Sequence, residues 1–149
     1  MSSEAEQIDL KEAIGLVVLQ FQHVEFWLAE KLAELLGMPN ADAHLVAAAM
    51  SFAQKADLTC ELLLRDKSAS KASTKVVRDA LTAAEEFRNA VVHSHWVARE
   101  GNSKRTKSTL KGGKGLRSVV RDVDIRGMVD AAYALNHVAT WEFLDDATL

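Results

Sequence analysis

Residues 74–98 read TKVVRDALTAAEEFRNAVVHSHWVA, and the spacing of their apolar side chains sets the fold class. With Val77 at 0° and each residue advancing roughly 100°, Leu81 falls at about 40°, Ala84 at about −20° and Val91 at about −40°, which is one stripe of an amphipathic helix. Arg88 falls at about 20°, inside that stripe, where a guanidinium is costly unless it is paired or employed. Asn89 and His93 lie at about 120° and 160°, sharing the opposite side by i,i+4 spacing.

The same period recurs on both sides of this helix. Residues 4–36 form a first helix, opened by a capping box of Ser3 and Glu6 and stopped by Gly37 and Pro39, with a bend or break expected near Gly15. Residues 41–66 form a second helix after the cap Asn40, and the polar link 67–73 leads to the third at 74–98. A fourth spans 124–145, capped by Asp124. Short connections make the first three antiparallel neighbours, so the expected fold is all-α: a four-helix up-down bundle in a single domain, 1–149.

Composition agrees. The 149 residues include 23 Ala and 18 Leu against seven Gly and one Pro, a helix-forming balance that excludes collagenous and Gly/Pro-punctuated all-β chains. Cys60 stands alone and has no internal disulfide partner, and no apolar run approaches membrane-spanning length. A cytoplasmic protein with no membrane partner is therefore expected. Cys60 itself reads as a small core residue.

The formal net charge of −3 conceals a split. Residues 99–121 hold eight bases (Arg99, Lys104, Arg105, Lys107, Lys111, Lys114, Arg117, Arg121) and one acid, Glu100, for +7; the other 126 residues, with 10 bases and 20 acids, carry −10. Thr, Ser, Leu and Val alternate with the bases around Gly112-Gly113, which reads as a basic β-hairpin between helices three and four, the alternative being a disordered basic loop. Such a block attracts phosphate backbones, with Ser and Thr adding hydrogen bonds; an exposed solubilising hairpin or an acidic docking partner is the other reading.

Helix one has an oddity of its own. On a wheel centred on Phe21, Glu25 lies at about 40°, between Leu28 at about −20° and Val18 at about 60°. A carboxylate in one stripe and a guanidinium in another suggest a buried Glu25–Arg88 pair. His95, at about 0° on the third helix, reads as core packing. On a helix His93 and His95 point about 200° apart, so they make no metal site there. His23, His44 and His137 lack ligand spacing, no phosphate-loop signature surrounds Lys107 or Lys114, and Trp27, Trp96 and Trp141 read as packing groups.

The run Arg88-Asn89-Ala90-Val91-Val92-His93 matches the R-N-x-x-x-H motif, and through it the chain resembles the HEPN superfamily of α-helical bundles, rich in metal-independent ribonucleases. The motif sits late in a long helix, is followed by Trp96, and is flanked by amphipathic helices; the E-x-x-L at Glu25 also looks like the family pattern. The resemblance implies a homodimer that brings two Arg88 and two His93 around one RNA cleft. There His93 would be general acid or base at the 2′-OH or the leaving 5′-oxygen, Arg88 would hold the scissile phosphate, and Asn89 would orient His93 or a phosphate oxygen. It also implies products ending in a 2′,3′-cyclic phosphate, no metal or cofactor, and a toxin or antiviral setting with a neutralising antitoxin or other regulator. Toxins of this kind neutralised at a tyrosine often read R-x4-H-x-Y; His95 stands in that place here and the only tyrosine is Tyr133, which puts that route in doubt. Other classes kept open are a catalytically silent HEPN-like module that binds RNA or a nucleotide, and a helical adaptor whose Glu25–Arg88 pair is purely structural.

Overall fold

The computed structural model describes residues 10–67, 69–99, 102–110, 116–122 and 124–140. Five helices are seen among them, α1 (Leu10–Leu36), α2 (Asn40–Ala48), α3 (Phe52–Arg65), α4 (Lys71–Val92) and α5 (Ile125–Thr140), with strands β1 (His95–Arg99), β2 (Asn102–Leu110) and β3 (Leu116–Asp122) between α4 and α5. The strands form an antiparallel sheet in the order β1-β2-β3.

Helix α1 passes through Gly15 without interruption. Gly15 is exposed, and the buried residues on either side of it, Ala13 and Val17, hold the helix together across a residue whose cost is about 1 kcal/mol. The expected break is therefore absent, and the expected Ser3–Glu6 cap lies outside the described residues. The helix ends as its sequence requires: Gly37 adopts φ 63°, its N–H donates to the Glu34 carbonyl, and the Met38 N–H donates to that of Ala33. This pair of bonds satisfies two otherwise free carbonyls.

The expected second helix is two helices. Ser51 caps α3: its hydroxyl accepts from the Gln54 N–H at 3.2 Å, and the Gln54 side chain accepts from the Ser51 N–H at 2.8 Å. This reciprocal cap is available only if the chain leaves the helical path at residues 49–51. Its consequence is topological. Phe21 meets Phe52 with ring centroids 4.8 Å apart, and one turn further along both helices Glu25 meets Lys55, so α1 and α3 ascend together with α2 as the return segment. Asp57 pairs with Arg78 and Cys60 lies against Thr74, so α4 runs opposite to α3. The four-helix up-down order is thereby corrected, since α3 runs parallel to α1 rather than against it.

Helix α4 begins earlier and ends earlier than expected. Ser70 caps it by accepting from the Ser73 N–H at 3.1 Å. At its other end the Trp96 indole N–H donates to the Val91 carbonyl at 2.8 Å and the Ser94 hydroxyl to that of Ala90. These side chains occupy carbonyls that a continuing helix would need, and the chain turns into β1.

Helix α1 is central, packing against α2, α3, α4 and α5. One core cluster gathers Phe21, Val24, Leu28, Phe52, Cys60, Val77, Leu81 and Leu135; a second, at the end where β1 departs, gathers Leu10, Ala13, Val17, Val91, Met128, Val129 and Ala132. Phe87 packs against both, and Trp96 against the second. Burial pushes the Cys60 thiol above its ordinary range, as the expected core role requires. No helix among the described residues is long and apolar enough to cross a membrane.

Candidate functional site

The R-N-x-x-x-H run occupies the last turn of α4 and its cap. Arg88 is half-buried, its guanidinium carbon 4.6 Å from the Phe21 ring centroid, and its Nε is buried with no hydrogen-bond partner among the described residues. A guanidinium is weakly hydrated and stacks well on an aromatic face, which is how a cation is tolerated within the apolar stripe. Asn89 is half-buried and its carbonyl accepts the His93 N–H at 3.0 Å. His93 itself caps the helix and is exposed. Five positions separate it from Arg88, so one protomer presents the pair as two separate features rather than one pocket.

Glu25 and Arg88 do not pair. The Lys55 ammonium donates to the Glu25 carboxylate at 3.3 Å, with the two side chains 10% and 37% exposed. The parallel course of α3 delivers Lys55 to this place, and Arg88 takes the Phe21 ring instead. Lys55 had a sequence signal: on α3 it lies within the stripe defined by Phe52, Ala56 and Thr59, all buried. Glu25→Gln removes the counter-charge of a buried ammonium, and its own exposure moderates the effect. We expect a loss of about 1 kcal/mol in unfolding free energy, read by urea denaturation, with RNA affinity unchanged. An equally stable variant would show that the contact carries no stability.

His95 is the first residue of β1, so its placement within a helical stripe is corrected, as is the 200° separation from His93. Of the basic residues, Arg99 lies on β1, Lys104, Arg105 and Lys107 on β2, and Arg117 and Arg121 on β3; Lys111 and Lys114 fall outside the described residues. A further polar cluster joins α1 to α2: Glu30 accepts from the His44 imidazole at 2.6 Å and from the Asn40 amide, with the Phe26 ring 4.9 Å from that of His44. Ala43 and Ala47 are the buried residues of α2, and this carboxylate adds a polar contact from α1 to it. Among the described residues, no group of three His, Cys, Asp or Glu is placed to hold a metal ion.

No family model, no curated protein and no solved structure matches this chain.

Proposed function

We propose that this protein is an RNA-directed endonuclease of the HEPN type, acting as a homodimer in which His93 and Arg88 from both subunits line one cleft. The observation that supports this most is the placement of His93: exposed, at the end of α4, one turn beyond a partly buried Arg88 and two residues before a sheet rich in basic residues. Val92, exposed beside it, offers apolar contact area for a second subunit. In this reading one imidazole removes the 2′-OH proton, O2′ bonds to phosphorus, and the bond from phosphorus to O5′ breaks. The leaving O5′ takes a proton from an imidazolium, and a 2′,3′-cyclic phosphate remains. The Arg88 guanidinium stabilises charge on the phosphate oxygens. A role as a toxin or antiviral effector, with an antitoxin or other regulator as partner, belongs to this proposal by analogy alone.

A second reading rests on a specific observation: Arg88 lies on the Phe21 ring. If that contact is its whole role, the protein binds RNA without cutting it. Incubation of the protein with single-stranded RNA in EDTA separates the two. We expect fragments ending in a 2′,3′-cyclic phosphate and a 5′-OH, and a dimer by light scattering at micromolar concentration. Intact RNA overturns the nuclease reading; a monomer removes the composite cleft.

A further inference from the structure

The ladder of the sheet sorts its basic residues. Arg105 is opposite Arg121 and Trp96, Lys107 is opposite Val119, and Thr109 is opposite Arg117. Directly opposed residues share a face, and so do alternate residues along a strand. One face therefore holds the positions of Arg105, Lys107, Arg117 and Arg121 with no acid among them. The other holds those of Arg99 and Lys104, the latter opposite Asp122, alongside the apolar pairings Leu110 with Leu116 and Thr106 with Val120. The first face carries +4 and the second +1, counting Lys, Arg, Asp and Glu on the three strands.

The Arg105–Arg121 pairing is the informative feature. Like charges directly opposite one another destabilise a sheet, and no acid at the positions of their face on the three strands offsets them. An anion seated between them would. The four cations occupy three successive rows about 6.8 Å apart, a strip about 14 Å long. Arg105 and Arg121 share the first row, and Lys107 and Arg117 follow one to a row, a narrow strip that suits one phosphate backbone rather than the two of a duplex. Trp96 fixes its position: it heads the Arg105 row, its indole N–H is given to Val91, and it packs on the second core cluster, so at β1 this face turns to the bundle beside the end of α4 that carries His93, while the cationic positions lie on the next strands, β2 and β3.

We infer that this one face, and not the sheet as a whole, is the surface that tracks the backbone of single-stranded RNA, leading it toward His93. The inference rests on the RNA reading above but does not depend on cleavage. The test is binding of a fluorescent single-stranded RNA by the full chain across a salt series, using anisotropy. Arg105→Gln, Lys107→Gln, Arg117→Gln and Arg121→Gln combined should make the log–log salt slope shallower by about 3, at about 0.7 per phosphate contact. That corresponds to an affinity loss of about 10²–10³-fold at 0.1 M salt. Arg99→Gln with Lys104→Gln should keep the wild-type slope. Replacing the three arginines of the face by lysine retains the charges and should also retain the slope, which separates lost contacts from a lost fold. Equal losses from the two glutamine sets would overturn the one-face assignment and leave RNA binding standing. Wild-type protein that binds no RNA, or that binds only anionic phospholipid vesicles, would overturn both.

Discussion

On the nuclease reading proposed above, His93→Ala should lower the rate of RNA cleavage by about 10²–10⁴-fold, the usual contribution of a positioned acid or base, while leaving the fold intact. The stability half of this expectation follows from how His93 is held. Its fixed contact is the backbone N–H given to the Asn89 carbonyl, which alanine retains, and its side chain is exposed at the helix end. Exposed substitutions of this kind change unfolding free energy by no more than about 0.5 kcal/mol. A loss of cleavage therefore reports chemistry. Arg88→Ala is less direct, because it also uncovers the Phe21 ring and its effect on rate mixes packing with catalysis. The measurement is the initial rate of fragment formation in EDTA, beside a thermal melt of each variant. A His93→Ala protein that cleaves as fast as wild type would sink the assignment of His93 and with it the nuclease reading.

Several boundaries were legible because local chemistry decided them. Gly37 and Pro39 end α1 for reasons carried by those two residues alone, and Ile125 to Leu135 of α5 follow their apolar spacing into the core. The break at residues 49–51 carried an equally local signal, Ser51 with Gln54, but alanines on both sides supply helix propensity that masks it in an apolar pattern. That short break decides the direction of α3, and direction decides partners. Glu25 was recognisable as a carboxylate needing a cation, yet whether the cation was Arg88 or Lys55 depended on which way α3 ran. The end of α4 was hidden differently: Ser94 and Trp96 act on the carbonyls of Ala90 and Val91 through tertiary geometry that periodicity does not register. The density of bases in residues 99–121 was plain from composition. Their division between two faces requires the register, because a shift of one residue would exchange them.

Leu28→Ala lowers the unfolding free energy by about 2–5 kcal/mol. Leu28 is 1% exposed and lies in the cluster that joins α1 to α3, α4 and α5. Its cluster is built mainly of large apolar side chains, Phe21, Phe52, Leu63, Leu81 and Leu135 among them, and a close-packed core of that kind refills the cavity left by a leucine only in part. Total stability for a domain of this kind is about 5–15 kcal/mol, so one such substitution removes a substantial fraction. Leu19, on the same helix but 57% exposed, provides the internal comparison: Leu19→Ala should move stability by no more than about 0.5 kcal/mol. Urea denaturation reads both, as a lower midpoint at unchanged slope for Leu28→Ala and no shift for Leu19→Ala. Equal losses at the two sites would mean that α1 turns a different face to the bundle, and the seat of Arg88 on Phe21, on that same face, would go with it. If the two differ as expected, RNA affinity of folded Leu28→Ala should stay at the wild-type level, because Trp96 ties the basic sheet to the second core cluster and not to the one that Leu28 fills.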